Sequence, residues 1–152
     1  MYWRRRGFPY DFLGDREMRK ELVGVIRTDA SATWEGVTVQ GSTAGLRLVN
    51  FFHPIMWAVR CRDAYAPLQR FESDLCLRRV LRHALTIWPE RFSVNATNLR
   101  SMLRTFSKTT RVSNFRPTLA KAIIERFSKP GQRVLDFSAG YGGRLLGCIA
   151  CW

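Results

Sequence analysis

Apolar and polar positions change rhythm along the chain. Between Glu21 and Phe52 the pattern is short. Leu22-Val23-Gly24-Val25-Ile26 is a compact run with β-branched members, and Val37, Val39, then Leu46, Leu48 alternate with polar neighbours around the turn signal Gly41-Ser42-Thr43-Ala44-Gly45. This predicts short strands over about 21–52, in a small antiparallel hairpin or meander. His53-Pro54 punctuates the chain, and the pattern becomes helical over about 63–108. Leu77, Leu81, Ala84, Leu85 and Trp88 recur on one helical face until Pro89 ends it. Leu99, Met102, Leu103 and Phe106 form a second stripe, with Asn95 or Thr97 as its N-cap.

A third helix is predicted from Pro117, whose fixed φ and missing N–H suit a first turn. Ala120, Ile123, Ile124 and Phe127 make its buried stripe, and Lys129-Pro130-Gly131 stops it. Val134-Leu135 then reads as the first strand of a parallel sheet, followed by a glycine-rich turn and another apolar-periodic helix. Helix, tight turn, strand, glycine loop, helix is the opening of a doubly wound domain. The expected fold class is therefore α/β. Residues 112–152 form the helix–strand–helix opening of a Rossmann-like domain with an incomplete sheet, and residues 1–111 form a small, mostly helical α+β region before it.

Composition narrows the function. One core is expected for 152 residues, and 46% hydrophobic content with five Trp argues for a globular protein. No apolar run reaches the roughly 18–20 residues of a membrane span, and no signal peptide follows the basic start Arg4-Arg5-Arg6. No membrane partner and a cytoplasmic location are expected. Lys and Arg outnumber Asp and Glu 25 to 12, for a net charge of +13, and most of the cations are Arg. Arginine pairs bidentately with phosphate and stacks on bases, which suits nucleic acid; an arginine-biased genome is the bland alternative. Residues 1–20 interleave aromatics with Arg, either to stack on bases or as a terminus whose aromatics dock on the body.

Arg78, Arg79 and Arg82 lie off the first helical stripe. Arg100 and Arg104, with Lys108 continuing the row, lie off the second, and Arg111 follows. These seven are the candidate nucleic-acid contacts, set against a merely solvated face. Cys61, Cys76, Cys148 and Cys151 include one Cys-x-x-Cys without a partner pair, which reads as reduced thiols rather than zinc. No metal site and no catalytic residue is assigned. His53 and His83 stand alone.

The most specific stretch is Arg133-Val-Leu-Asp-Phe-Ser-Ala-Gly-Tyr-Gly-Gly-Arg-Leu-Leu-Gly147. An acid at a strand end before a glycine turn offers bare main chain and a carboxylate to a small polar ligand. It lacks the Lys-Ser/Thr of a Walker loop, and Leu145 stands where a dinucleotide fingerprint needs a third small residue.

Val134-Leu135-Asp136-x-x-x-Gly140-x-Gly142 resembles motif I, the S-adenosylmethionine loop of class I methyltransferases. It is similar above all to the DNA amino-methyltransferases, whose loop has Pro-Phe where this chain has Phe137-Ser138. Asn114-Phe115-Arg116-Pro117, with the helix that follows, resembles that family's motif X. The resemblance covers about residues 112–149. It implies S-adenosylmethionine as cofactor, with Asp136 on the methionine ammonium group and Gly140 and Gly142 leaving room along the backbone. Phe115 and Pro117 would cover the methionine end, and Phe137, Ser138 and Ala139 would complete the loop.

The family also uses a second-strand acid and an Asn/Asp/Ser-Pro-Pro-aromatic tetrapeptide for the flipped base. Neither is among these residues, and Phe137, Leu145, Leu146 and Ile149 would lack their covering layers. The expectation is an inactive N-terminal fragment of a phage- or bacterial-type DNA methyltransferase, from a truncated gene or a split enzyme whose C-terminal half is supplied separately. RNA or a small molecule is left open as acceptor. The rival expectation is a non-catalytic basic module that binds nucleic acid.

Overall fold

The computed structural model describes residues 2–31, 34, 35, 38, 39, 41–87, 95–110 and 112–151. It is mostly helical: α1 (Tyr2–Arg6), α2 (Asp15–Ile26), α3 (Leu46–Phe52), α4 (Pro67–Glu72), α5 (Asp74–Ile87), α6 (Ala96–Phe106), α7 (Pro117–Phe127) and α8 (Gly143–Ile149). The strands among the described residues are β1 (Trp34–Glu35) and β2 (Thr38–Val39), paired antiparallel with Trp34 opposite Val39. No helix among the described residues is long and apolar enough to cross a membrane. The chain divides into two compact units, Met1–Asp11 with Pro54–Val112 and Phe12–His53 with Ser113–Trp152. The expected division at residue 112 marks only one of the places where the chain passes between them.

The α/β, Rossmann-like expectation is overturned. Val134 and Leu135 pair with no strand among the described residues and are 47% and 87% exposed. A single extended segment has nowhere to place its main-chain N–H and C=O groups except water, so no sheet starts there. The strands expected around Leu22–Ile26 and Leu46–Leu48 are helices instead. In α2 the apolar run is only the last stretch of a helix that begins further back. Asp15 and Glu17 lie in its first turn, and the Gly14 N–H donates to Glu17 Oε2 at 2.9 Å. Only Val25 of that run is fully buried. α3 starts at Gly45, whose φ of +79° and close neighbour (Val25 Cγ2, 2.5 Å from where a Cβ would stand) leave room for glycine alone.

The first unit is a helical cluster around Met56, Trp57, Phe71, Val80, Leu99, Met102 and Leu103, all buried. Of the helices in this cluster, α6 follows its sequence signals and α5 follows them in part. Asn95 caps α6, its Oδ1 accepting from Asn98 N at 2.8 Å, and Leu99, Met102 and Leu103 are its buried face. On α5 the buried residues are Leu77, Val80 and Ala84, while Leu85 is 49% exposed; Trp88 and Pro89 lie outside the described residues. Of the N-terminal aromatics, Phe8 docks on the body as one of the two readings had it, while Tyr2 and Phe12 are exposed. Phe8 is buried, its ring 5.5 Å from Trp57 and 5.4 Å from Phe71.

What fastens that terminus is ionic. Arg100 of α6 is buried and donates to the Pro9 carbonyl and to Asp11 Oδ1 at 2.7 Å. Arg104, one turn on, stacks 4.4 Å over the Trp57 ring and donates to Val112 O at 2.8 Å. Burial, with Arg100 alongside and Asp11 only partly opposing, holds the Arg104 guanidinium below its usual range.

The second unit is built on α7. Its buried residues are Pro117, Thr118, Ala120, Lys121 and Ala122, so the expected stripe is rotated: Ala120 is inside, but Ile123 and Phe127 are 36% and 76% exposed. Polar contacts set that rotation. Lys121 Nζ donates to the carbonyls of Ile26 and Thr28 at the C-terminal end of α2, where a cation is favoured. Thr118 Oγ1 donates to Ser42 O at 2.8 Å. Against α7 lies α8, through its glycines. A Cβ on Gly143 would stand 2.1 Å from Phe115 O, and one on Gly147 would stand 2.5 Å from Ala120 Cβ and 2.6 Å from Pro117 O. On the other side of α8, Leu145 and Ile149 are 61% and 62% exposed, and Phe137 before it is 93% exposed.

Two stability measurements check this description. Asp11→Ala strands a buried guanidinium and is expected to cost about 3–5 kcal/mol in urea unfolding, whereas Asp11→Leu with Arg100→Met recovers most of it. Gly147→Ala adds about 1 kcal/mol of helix propensity, but its methyl meets main chain that cannot move aside. A net loss of about 1–3 kcal/mol in thermal unfolding is expected, and a rise in melting temperature would contradict the packing.

Candidate functional site

Because α8 touches α7 backbone to backbone, the turn before α8 is carried onto the segment before α7. Between them is a cavity of about 540 Å³, lined from one side by Asn114, Phe115, Arg116 and Leu119 and from the other by Ser138, Ala139, Gly140, Tyr141 and Arg144. That volume suits a small molecule of cofactor size. The turn is shaped by local bonds. Ser138 N donates to Asp136 Oδ1 at 3.0 Å, Gly142 N to Ala139 O at 3.4 Å, and φ is +59° at Gly140 and +84° at Gly142. Only glycine enters this region without strain. A side chain at Gly140 would meet nothing closer than 3.8 Å, so the backbone there is open to an approaching ligand.

Arg144 is the charged wall of the cavity. Its Nε donates to Asp136 Oδ2 at 2.8 Å, its guanidinium lies 5.4 Å from the Phe115 ring centre, and both side chains of the pair are about one-third exposed. Arg144 Nη2 is buried and, among the described residues, has no hydrogen-bond partner. A buried donor of a charged group left without an acceptor is costly and marks a place where an anion would be welcome. The bond from Arg144, aided by Ser138 N–H and the guanidinium charge, holds the Asp136 carboxyl below the usual carboxylate range.

The residues expected at a cofactor site are only partly brought together. Phe115, Ser138, Ala139 and Gly140 line the cavity, and Asp136 is one bond away through Arg144. Gly142 instead faces the His53 ring, 3.2 Å from where its Cβ would be. Pro117 is buried against Gly45, and Phe137 projects into solvent. Arg144, Arg116 and Asn114 are additions. Arg144 is eight residues beyond Asp136, a spacing with no regular period, and only the turn between them makes the pair.

The candidate nucleic-acid contacts also separate. Arg78, Arg79 and Arg82 are exposed and line a groove of about 730 Å³ with His83 and Phe106, and Lys108 lines an adjoining cavity. Arg100 and Arg104 are committed to Asp11, Val112 and Trp57 inside the first unit, so they present no row to solvent. Arg111 lies outside the described residues. All four cysteines are free, and burial pushes the Cys151 thiol up to about 11.

The ion pair gives a direct test. In an NMR titration Asp136 should stay ionised below the ordinary carboxylate range, and Arg144→Ala should move its midpoint upward. A depressed native value means that the pair's small stabilisation is fully present above the unfolded value of roughly 3.9 and is lost as pH falls further. Comparison of the chain with protein-family models, with curated proteins and with solved structures finds no match.

Proposed function

We propose that the cavity between residues 113–119 and 138–144 binds S-adenosylmethionine, as the methyl-donor site of a transferase that acts on base amines of DNA. The observation that carries this reading is a convergence. Two segments about twenty residues apart, which resemble the family's motifs X and I, face one another across one cavity of cofactor size. The reading rests on that site and not on the fold.

The donor set fits the cofactor's methionine end, an α-amino-acid zwitterion. Asp136, beside the cavity through its bond to Arg144, would supply a carboxylate for the ammonium group, and Arg144 Nη2, unpartnered among the described residues, a donor for the carboxylate group. Phe115 offers an aromatic face suited to a cationic sulfonium, and the open backbone at Gly140 allows close approach. When bound, the cofactor would contribute an activated methyl group. These residues bind and orient, and the base-binding tetrapeptide is not among the 152 residues, so no turnover is assigned to them alone. The free thiols suit a reducing cytoplasm.

The basic groove on α5 favours a second reading, a nucleic-acid-binding module without methyl transfer. Calorimetry with S-adenosylhomocysteine separates the two. Saturable heat is expected with the full chain, at least tenfold weaker in Asp136→Ala and in Arg144→Ala and unchanged in Phe137→Ser. Adenosine should bind weakly and be indifferent to both charge variants. No binding by the wild-type chain, or equal affinity in Asp136→Ala, removes the methyl-donor reading.

A further inference from the structure

We infer that the groove along α5 in the first unit seats the phosphodiester backbone of nucleic acid. This goes beyond the methyl-donor reading and stands on different residues. Arg78 and Arg82 are one helical turn apart, about 6 Å along the axis, and Arg79 flanks them on the same groove of about 730 Å³. All three are exposed, and none has a carboxylate partner among the described residues. The nearest acid in sequence, Asp74, is taken up by Arg4 at 2.6 Å. Among the described residues, no carboxylate neutralises the positive charge on this face.

The lining does not stop at one cavity. A second, of about 300 Å³, shares Leu75, Arg79 and Phe106 with the first and adds Arg70 and Lys108. Lys108 is the one non-glycine residue with positive φ among those described, at 52°, so the chain holds a lysine in a conformation that costs about 1–2 kcal/mol. The cations thus follow a track across α5 to the turn after α6, rather than closing around one anion. An extended polyanion fits a track, whereas a single phosphate fits a closed cluster. Arginine is the side chain whose planar fork pairs bidentately with phosphate. The apolar part of the lining is Leu75, Phe106 and the stems of the cations, with the guanidinium and ammonium heads to pair with phosphate.

Fluorescence anisotropy with a labelled 20-nucleotide DNA, the full chain and no added cofactor tests this. The triple variant Arg78→Ala, Arg79→Ala, Arg82→Ala should bind at least tenfold more weakly near physiological salt. Its plot of log affinity against log salt should be shallower by about two to three. Arg16→Ala, Arg19→Ala, Lys20→Ala removes the same charge from exposed positions on α2 and should change affinity less than twofold. Circular dichroism confirms that both variants are folded. The inference is overturned if the two triples lose affinity equally, if the wild-type chain does not bind, if micromolar pyrophosphate displaces the DNA, or if vesicles of anionic lipid compete equally well. Asp136→Ala should bind the DNA like the wild type, so loss of the cofactor reading and loss of this one are told apart.

Discussion

The contact on which the second unit depends is between main chains. Gly143 and Gly147, four residues apart on α8, lie so close to Phe115 O, Pro117 O and Ala120 Cβ that a single added carbon would overlap them. Helices separated by ordinary side chains sit about 8–10 Å apart; glycines on one face bring the backbones nearer and fix the register of one helix on the other. That register decides what the turn before α8 faces. It places Ser138–Tyr141 opposite Asn114–Arg116 and so makes the cavity. The glycine-rich stretch therefore divides its labour. Gly140 leaves space for a ligand, Gly142 turns the chain beside His53, and Gly143 and Gly147 pack.

In the first unit the corresponding constraint is a buried charge. Arg100 would be prohibitively costly inside unless paired, and it is paired with the Pro9 carbonyl and Asp11. The N-terminal aromatics are drawn in with Asp11: Phe8 meets Trp57 and Phe71 in the same core. The cations read from the sequence as nucleic-acid contacts, or else as a solvated face, are thus divided by burial. On α6, Arg100 holds the terminus down and Arg104 is taken up by Val112 and Trp57, while the α5 arginines are exposed on the surface.

How much of this the sequence discloses depends on how local the cause is. α6 is legible because its cap and its stripe lie within one helix, and Pro117 marks the start of α7 for the same reason. The run Leu22–Ile26 is not legible, because five apolar residues carry no period, and the helical signal sits upstream at Asp15 and Glu17. The buried face of α7 is set by partners far along the chain, Ser42, Ile26 and Thr28, which draw Thr118 and Lys121 inward against their composition. The loop motif shows Asp136 and Gly140, but Arg144 enters the site only through the curvature of the turn. A strand at Val134-Leu135 needs a neighbour to be a strand, and none is present among the described residues.

The Asp136–Arg144 pair bears directly on whether an amino-acid zwitterion would be accepted. Both side chains are about one-third exposed, so their mutual attraction is screened by solvent. Opening the pair is therefore cheap. A ligand carrying an ammonium and a carboxylate on one carbon would offer each partner an opposite charge in return, and would give Arg144 Nη2 an acceptor that none of the described residues supplies. A ligand with only a cation would satisfy Asp136 but leave the guanidinium more exposed to its own desolvation, and an anion alone would do the reverse. Under the proposed reading, a molecule with both charges close together is preferred over either charge alone, and the preference would arise from the pair being weak and incompletely satisfied rather than strong.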